Sequence, residues 1–195
     1  MMTPKFIDEG KDVRVVLGPC RISYPHVFEP YAKNTDDTPK YSADILIPKA
    51  EQATIDVLNK AIKVAFDRAV SSKWAGNRPK DGYWNTPLLD GDTPKKTGDD
   101  RSEEYKGCRF VTAKSLQKPA LFDKDGSDIE DEEEIYGGVW AYASIRFYSY
   151  SKGSKGIGCE LFGLKKFKDD TAWSGSNKRE TAANDFAENT DDDVY

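Results

Sequence analysis

The segment Val139 to Tyr150 holds the residues whose types and spacing most invite chemistry. Alternate residues of an extended chain point to opposite faces. One face then carries Val139, Ala141, Ala143, Ile145 and Phe147, which suit the inside of a β-structure. The other carries Trp140, Tyr142, Ser144, Arg146, Tyr148 and Tyr150. Four rings and a guanidinium are unusual for a solvent-facing strand. Such planes stack on unpaired nucleobases at roughly 1–3 kcal/mol per base, whatever the base. The same pattern arises if a helix or long loop covers this face and turns the rings into core. Alternation alone leaves both readings open.

A polyanion also needs counter-charge. Lys106, Arg109, Lys114, Lys152, Lys155, Lys165 and Lys166 lie on or beside the predicted strands. Each one that meets a phosphate adds about −0.7 to the slope of log affinity against log salt on a single strand. As ordinary surface charges they add nothing. The stretch from Ser72 to Tyr105 is punctuated by Gly76, Pro79, Gly82, Pro87, Gly91, Pro94 and Gly98. Structureless loops of this length are usually functional or disordered. This one interleaves bases with rings, so Trp74 and Trp84 join the candidate contacts.

The formal net charge is −5, but it is unevenly placed. Six acids fall between Asp128 and Glu134 and six more between Glu180 and Tyr195, with no base in either run. Setting those twelve aside leaves 29 Lys and Arg against 22 Asp and Glu, a net of +7. A mildly basic body attracts polyanions, and an acidic arm on the same chain competes for it. The arm ends Asp191, Asp192, Asp193, Val194, Tyr195. Its apolar tip fits docking into a partner protein's pocket once DNA displaces the arm; a plain solubilising end is the simpler alternative.

Several functions are disfavoured. His26 is the only histidine, which removes most hydrolase and nuclease schemes that use this residue as base or ligand. Cys20, Cys108 and Cys159 are far apart and odd in number, so they read as buried thiols, not as a disulfide framework or zinc site. No P-loop, GxSxG or Ser/His/Asp set is present. No metal or other cofactor is expected, and no catalysis. A divalent-metal nuclease built on the acids of the 90–100 loop (Asp90, Asp92, Asp99, Asp100) is the enzymatic alternative. A module that dimerises through exposed aromatics is the structural one. No apolar run reaches the ~20 residues of a membrane span, and Met1 to Asp12 lacks a signal-peptide core.

The elements that must position these residues are mostly strands. The pattern predicts strands over 13–17, broken by Gly18-Pro19 and resuming at 20–24, then over 40–47, 108–114, 120–122, 139–150 and 157–167. Residues 1–12 read as irregular. Ile55, Leu58, Ile62, Phe66 and Ala69 recur at helical spacing and predict one amphipathic helix over 50–71. The expected fold is mainly β, an OB-like Greek-key barrel of five or six strands with one amphipathic α-helix, occupying residues 1–168. Residues 169–195 are expected to form a disordered acidic C-terminal tail.

Five runs carry a family resemblance: RISYPHVFEP at 21–30, KYSADILIPK at 40–49, TPLLDGD at 86–92, YKGCRF at 105–110 and KGIGCEL at 155–161. Through them, residues 14 to 167 resemble a family of single-stranded DNA-binding proteins from phages and prophages of Firmicutes, formerly a domain of unknown function. The resemblance implies an OB fold, similar to that of the single-stranded DNA-binding protein of short-tailed coliphages. It also implies a role in phage DNA replication and recombination in the cytoplasm of the bacterial host. The acidic end is similar to that of bacterial single-stranded DNA-binding proteins, with Tyr195 where those usually end in Phe. The partners expected are single-stranded DNA and phage or host replication and recombination proteins at the tail, with a second copy of the chain as the alternative, but no membrane.

Overall fold

The computed structural model describes residues 3–10 and 12–173. They form β1 (Lys5–Glu9), β2 (Asp12–Tyr31), β3 (Lys40–Pro48), α1 (Gln52–Ser71), β4 (Leu88–Asp90), β5 (Cys108–Ser115), β6 (Ala120–Phe122), β7 (Trp140–Tyr150) and β8 (Gly156–Lys168). Eight strands thus stand where five or six are expected. The additions are β1, in the segment read as irregular, and the short β4, inside the long loop.

The long strand β2 corrects the sequence reading most. Gly18-Pro19, Pro25 and Pro30 look like breakers, yet one strand runs through all three. Three register shifts along its pairing accompany this. Leu17 pairs with Ala143 and Cys20 with Ala141, so one extra residue is accommodated between them as a β-bulge. Gly18 sits there at φ +121°, and a Cβ on it would lie 2.8 Å from the Ala141 carbonyl oxygen, so glycine is required. The bulge also switches the buried set from Val13, Val15 and Leu17 to Cys20 and Ile22.

Within the sheet, the five main strands lie in the order β5-β3-β2-β7-β8, with β4 on the outside of β5 and β6 on the outside of β8. That is OB-like topology, with β2 shared between both halves. The sheet curls until β5 nears β8, but no hydrogen-bonded ladder joins them, so the expected barrel is not closed. The β8 edge is already taken at both ends. β6 pairs in parallel with Gly163–Lys165, and Asn85 bridges Gly156.

Inside the curl, Val13, Val15, Ile22, Ala43, Ile45, Ile47, Val111, Ala143, Ile145 and Leu161 are buried. The predicted stripe of α1 (Ile55, Leu58, Ile62, Phe66, Ala69) packs on the same core from the inner side of β2 and β7. Full burial stabilises each aliphatic side chain by about 1.5–3 kcal/mol. Because α1 takes the inner face, the outer face of β7 is left uncovered by it. A second, smaller core of Leu46, Tyr105 and Phe110 lies on the outer side of β3 and β5. It anchors the segment that leads into β5.

Candidate nucleic-acid interface

Two adjoining hollows cross the outer side of β3 and β5. The first, about 560 Å³, lies between the β2–β3 connection and the strands, under Tyr24, His26 and Tyr31. The second, about 570 Å³, sits at the open seam, between Leu116 on one side and Tyr148 and Phe162 on the other. Lys40 and Lys114 line both, which makes them one groove.

The aromatic wall is produced by a second bulge in β2. Ser23 pairs with Asp44 and His26 with Ser42, so again one extra residue is fitted in. Tyr24 takes it up at φ +45°, a left-handed conformation in a bulky residue directly before Pro25. Such a backbone costs of order 1–3 kcal/mol. The gain is direction: the Tyr24 ring stands out of the sheet, 57% exposed, its hydroxyl 3.2 Å from that of Ser102. Beyond it His26 stacks on Tyr31, with ring centroids 4.5 Å apart and planes at 14°. Tyr31 is itself 54% exposed. Burial lowers the pKa of His26, which holds the ring neutral at pH 7.

At the seam end, Tyr148 lies across Gly158, its partner on β8. A Cβ on Gly158 would fall 2.4 Å from the ring, so glycine here makes the bed on which the tyrosine lies. The ring remains 42% exposed. Charge is uneven along the groove. Lys33, Lys40 and Lys114 make no ion pair among the described residues. Arg146 is different: its Nε donates to Glu160 at 2.8 Å, and the guanidinium lies 5.2 Å from the Phe162 ring centre.

The other expected residues are placed as follows. Tyr142 is half-buried, edge-on to Phe167 at 5.5 Å. Tyr150 lies over Gly156. Trp140 serves as an anchor: its indole N–H donates to Asp170 at 2.6 Å, with the Arg21 and Lys168 side chains against its ring. Arg21 also bonds Asp170 and the Thr171 carbonyl and lies 4.5 Å from the Trp173 ring centre. Residues 169–173 therefore continue along the domain past the expected boundary at 168. Asp191, Asp192, Asp193, Val194 and Tyr195 lie outside the described residues.

Trp74 is a correction. Trp74 is only 2% exposed and meets Phe66 edge-on, its N–H satisfied by the Tyr150 carbonyl. Trp84, partly exposed, also meets Phe66, with ring centroids 4.7 Å apart. Trp74 is thus packed against the helix and has no face left for a base, while Tyr83 in the same loop is exposed. Among the cations, Lys106 pairs with Glu103, Arg109 with Asp90, and Lys155 bonds the Asn77 carbonyl. Lys114 reaches the groove and Lys152 is exposed in the β7–β8 turn. Two of the four acids of the 90–100 loop are committed to an internal ion pair: Asp90 and Asp92 both hold the Lys49 ammonium, at 2.7 and 2.6 Å. That ion pair holds both carboxyls below their usual pKa.

Sequence reasoning missed Tyr24, His26, Tyr31, Lys33, Lys40 and Phe162. A signal existed, because four of the six fall within the runs RISYPHVFEP and KYSADILIPK or directly beside them.

An OB-like β domain whose outer wall bears a cationic, aromatic-lined groove is the class that fold and geometry define. More narrowly, the chain belongs to the family described as "Enterobacter phage Enc34, ssDNA-binding protein", whose model matches residues 13–195. It is 27% identical over 172 residues to protein p50 of Acyrthosiphon pisum secondary endosymbiont phage 1, covering 84% of this chain and 88% of p50. Its fold is similar to that of the single-stranded DNA-binding protein from bacteriophage Enc34 in complex with ssDNA, with TM-score 0.71, 24% identity and coverage of 86% and 96% of the two chains. It is also similar to gp2.5, a single-stranded DNA-binding protein encoded by bacteriophage T7, with TM-score 0.55, 16% identity and coverage of 83% and 95%. Among the described residues no helix is long and apolar enough to cross a membrane.

Proposed function

We propose that this protein binds single-stranded DNA without strong sequence preference, along the groove over β3 and β5. The observation that carries the reading is the coincidence of three features at one place. Exposed rings (Tyr24, Tyr31, Tyr148) offer stacking surfaces, three lysines that make no ion pair among the described residues (Lys33, Lys40, Lys114) offer counter-charge, and both line one continuous channel. OB folds bind oligonucleotides at the corresponding place, the second and third barrel strands and the loop between the first two. In this chain those are β3, β5 and the 31–40 connection. Of the residues read from the sequence, Lys114, Arg146 and Tyr148 belong to this path, whereas Trp140 and Tyr142 lie toward the end held by residues 169–173.

Photocrosslinking with an oligonucleotide of 5-iododeoxyuridine tests the path. Crosslinks are expected at Tyr24, Tyr31 or Tyr148. Crosslinks confined to Trp140, Tyr142 and Tyr83 would move the site to another face. We place this binding in phage DNA replication or recombination within the host cell, processes that expose single-stranded DNA. The acidic segment ending Asp191, Asp192, Asp193, Val194, Tyr195 is the proposed recruiting arm, and residues 1–168 with the adjoining 169–173 the DNA-binding domain. Deleting Asp185 to Tyr195 is expected to strengthen oligo-dT binding and abolish partner capture; unchanged DNA affinity would count against the competing-arm model.

A further inference from the structure

Three acids line the groove, Asp37, Asp44 and Glu160; Glu160 is held by Arg146, and Asp44 calls for a reason. Asp44 lies on the groove floor, on the outer face of β3, between Ser23 of β2 and Thr112 of β5. The Tyr105 hydroxyl donates to its Oδ2. Burial pushes its carboxyl above the usual range, against Thr112, Tyr105, Lys114 and Arg101, which all favour the charged form. Asp37, the other acid lining this hollow, is exposed and accepts from the Asn34 amide. Asp44 therefore differs in kind: it is partly buried on the strand floor of the hollow that Tyr24 and His26 also line, within reach of a base that stacks there. A carboxylate has about four lone-pair positions, and Tyr105 and Thr112 occupy only part of them.

We propose that Asp44 reads the base edge at one subsite, accepting a hydrogen bond from an exocyclic amino group such as N4 of cytosine and disfavouring a carbonyl at the same position. This rests on the groove being the DNA path and goes beyond it, because stacking and phosphate contacts carry no such choice. A carboxylate accepting from cytosine N4 is an established pairing, whereas uracil and thymine turn an acceptor toward it and repel it. Binding is thus sequence-tolerant overall, with a preference for amino-bearing bases at one position.

The test compares equal-length oligo-dC and oligo-dU, which differ at this edge and not in the methyl group, on the full chain. Wild type is expected to bind oligo-dC more tightly. In D44N the ratio Kd(dU)/Kd(dC) should fall at least about fivefold, the low end for one base-reading contact. An oligonucleotide of 2-pyrimidinone, which lacks the amino group, should lose the same preference on the unaltered protein, and that arm needs no folded variant. A ratio unchanged in D44N, or a 2-pyrimidinone strand bound as well as oligo-dC, overturns the proposal. A purely structural Asp44, holding only Tyr105, would weaken both strands alike and leave the ratio unchanged. K40A/K114A separates the two claims: if that variant binds every strand as wild type does, the groove itself is not the path.

Discussion

Replacing Lys40 and Lys114 by alanine tests the electrostatic reasoning quantitatively. Both ammonium groups line the two hollows and neither has an ion-pair partner among the described residues, so both are available to phosphates. Each phosphate contact on a single strand contributes about −0.7 to the slope of log K against log salt. Losing two should flatten that slope by about 1.4. At 0.1 M salt this equals roughly 1.4 decades, a 25-fold or about 2 kcal/mol loss, shrinking toward nothing when extrapolated to 1 M. Fluorescence anisotropy of a labelled oligo-dT over a salt series reads slope and affinity together. K106A is the control, because Lys106 is already paired with Glu103 at 2.7 Å and should leave the slope unchanged. If K106A flattens the slope as much as the groove variants do, or if K40A/K114A lowers affinity equally at every salt, the assignment of free and committed cations is wrong.

Other perturbations have defined outcomes. Y24G removes both a stacking ring and a strained φ of +45°, so DNA binding should weaken by about 1–3 kcal/mol while the melting temperature does not fall. A simultaneous loss of stability would show that the ring is core. G158A places a Cβ 2.4 Å from the Tyr148 ring and should displace it, weakening oligo-dT binding with little change in salt slope; unaltered binding would remove Tyr148 from the path. Asp92 is held below its usual value of 3.8 mainly by Lys49. A carboxyl depressed in the folded state stabilises above its unfolded pKa, and that contribution is lost as pH falls through the folded one. D92N should therefore melt lower than wild type at pH 7 and converge with it below pH 3.8, as thermal scans across pH would show.

Regular patterns were legible in the sequence and paired surfaces were not. The helical stripe of α1 and the alternation of β7 each follow from one local period, and both stand in the structure. β2 was hidden because Gly18, Pro19 and Pro25 normally end strands, and only the β7 and β3 partners show that bulges absorb them. The groove joins residues 24–40 to 112–117 and 146–162, a proximity made by antiparallel pairing across the sheet and not by any local motif. Trp74 shows the converse error. Rings among lysines in a glycine-rich loop look exposed, yet Phe66 offers them an apolar surface that the loop composition does not reveal.

Hydrogen–deuterium exchange of the full chain with and without saturating oligo-dT probes the DNA path most directly. Binding is expected to protect the backbone of 23–44 and 110–117 and to leave 52–71 in α1 unchanged. Protection concentrated on 136–144 or on α1, with the β3–β5 groove exchanging as in the free protein, would contradict the assignment of that groove as the place where the strand lies.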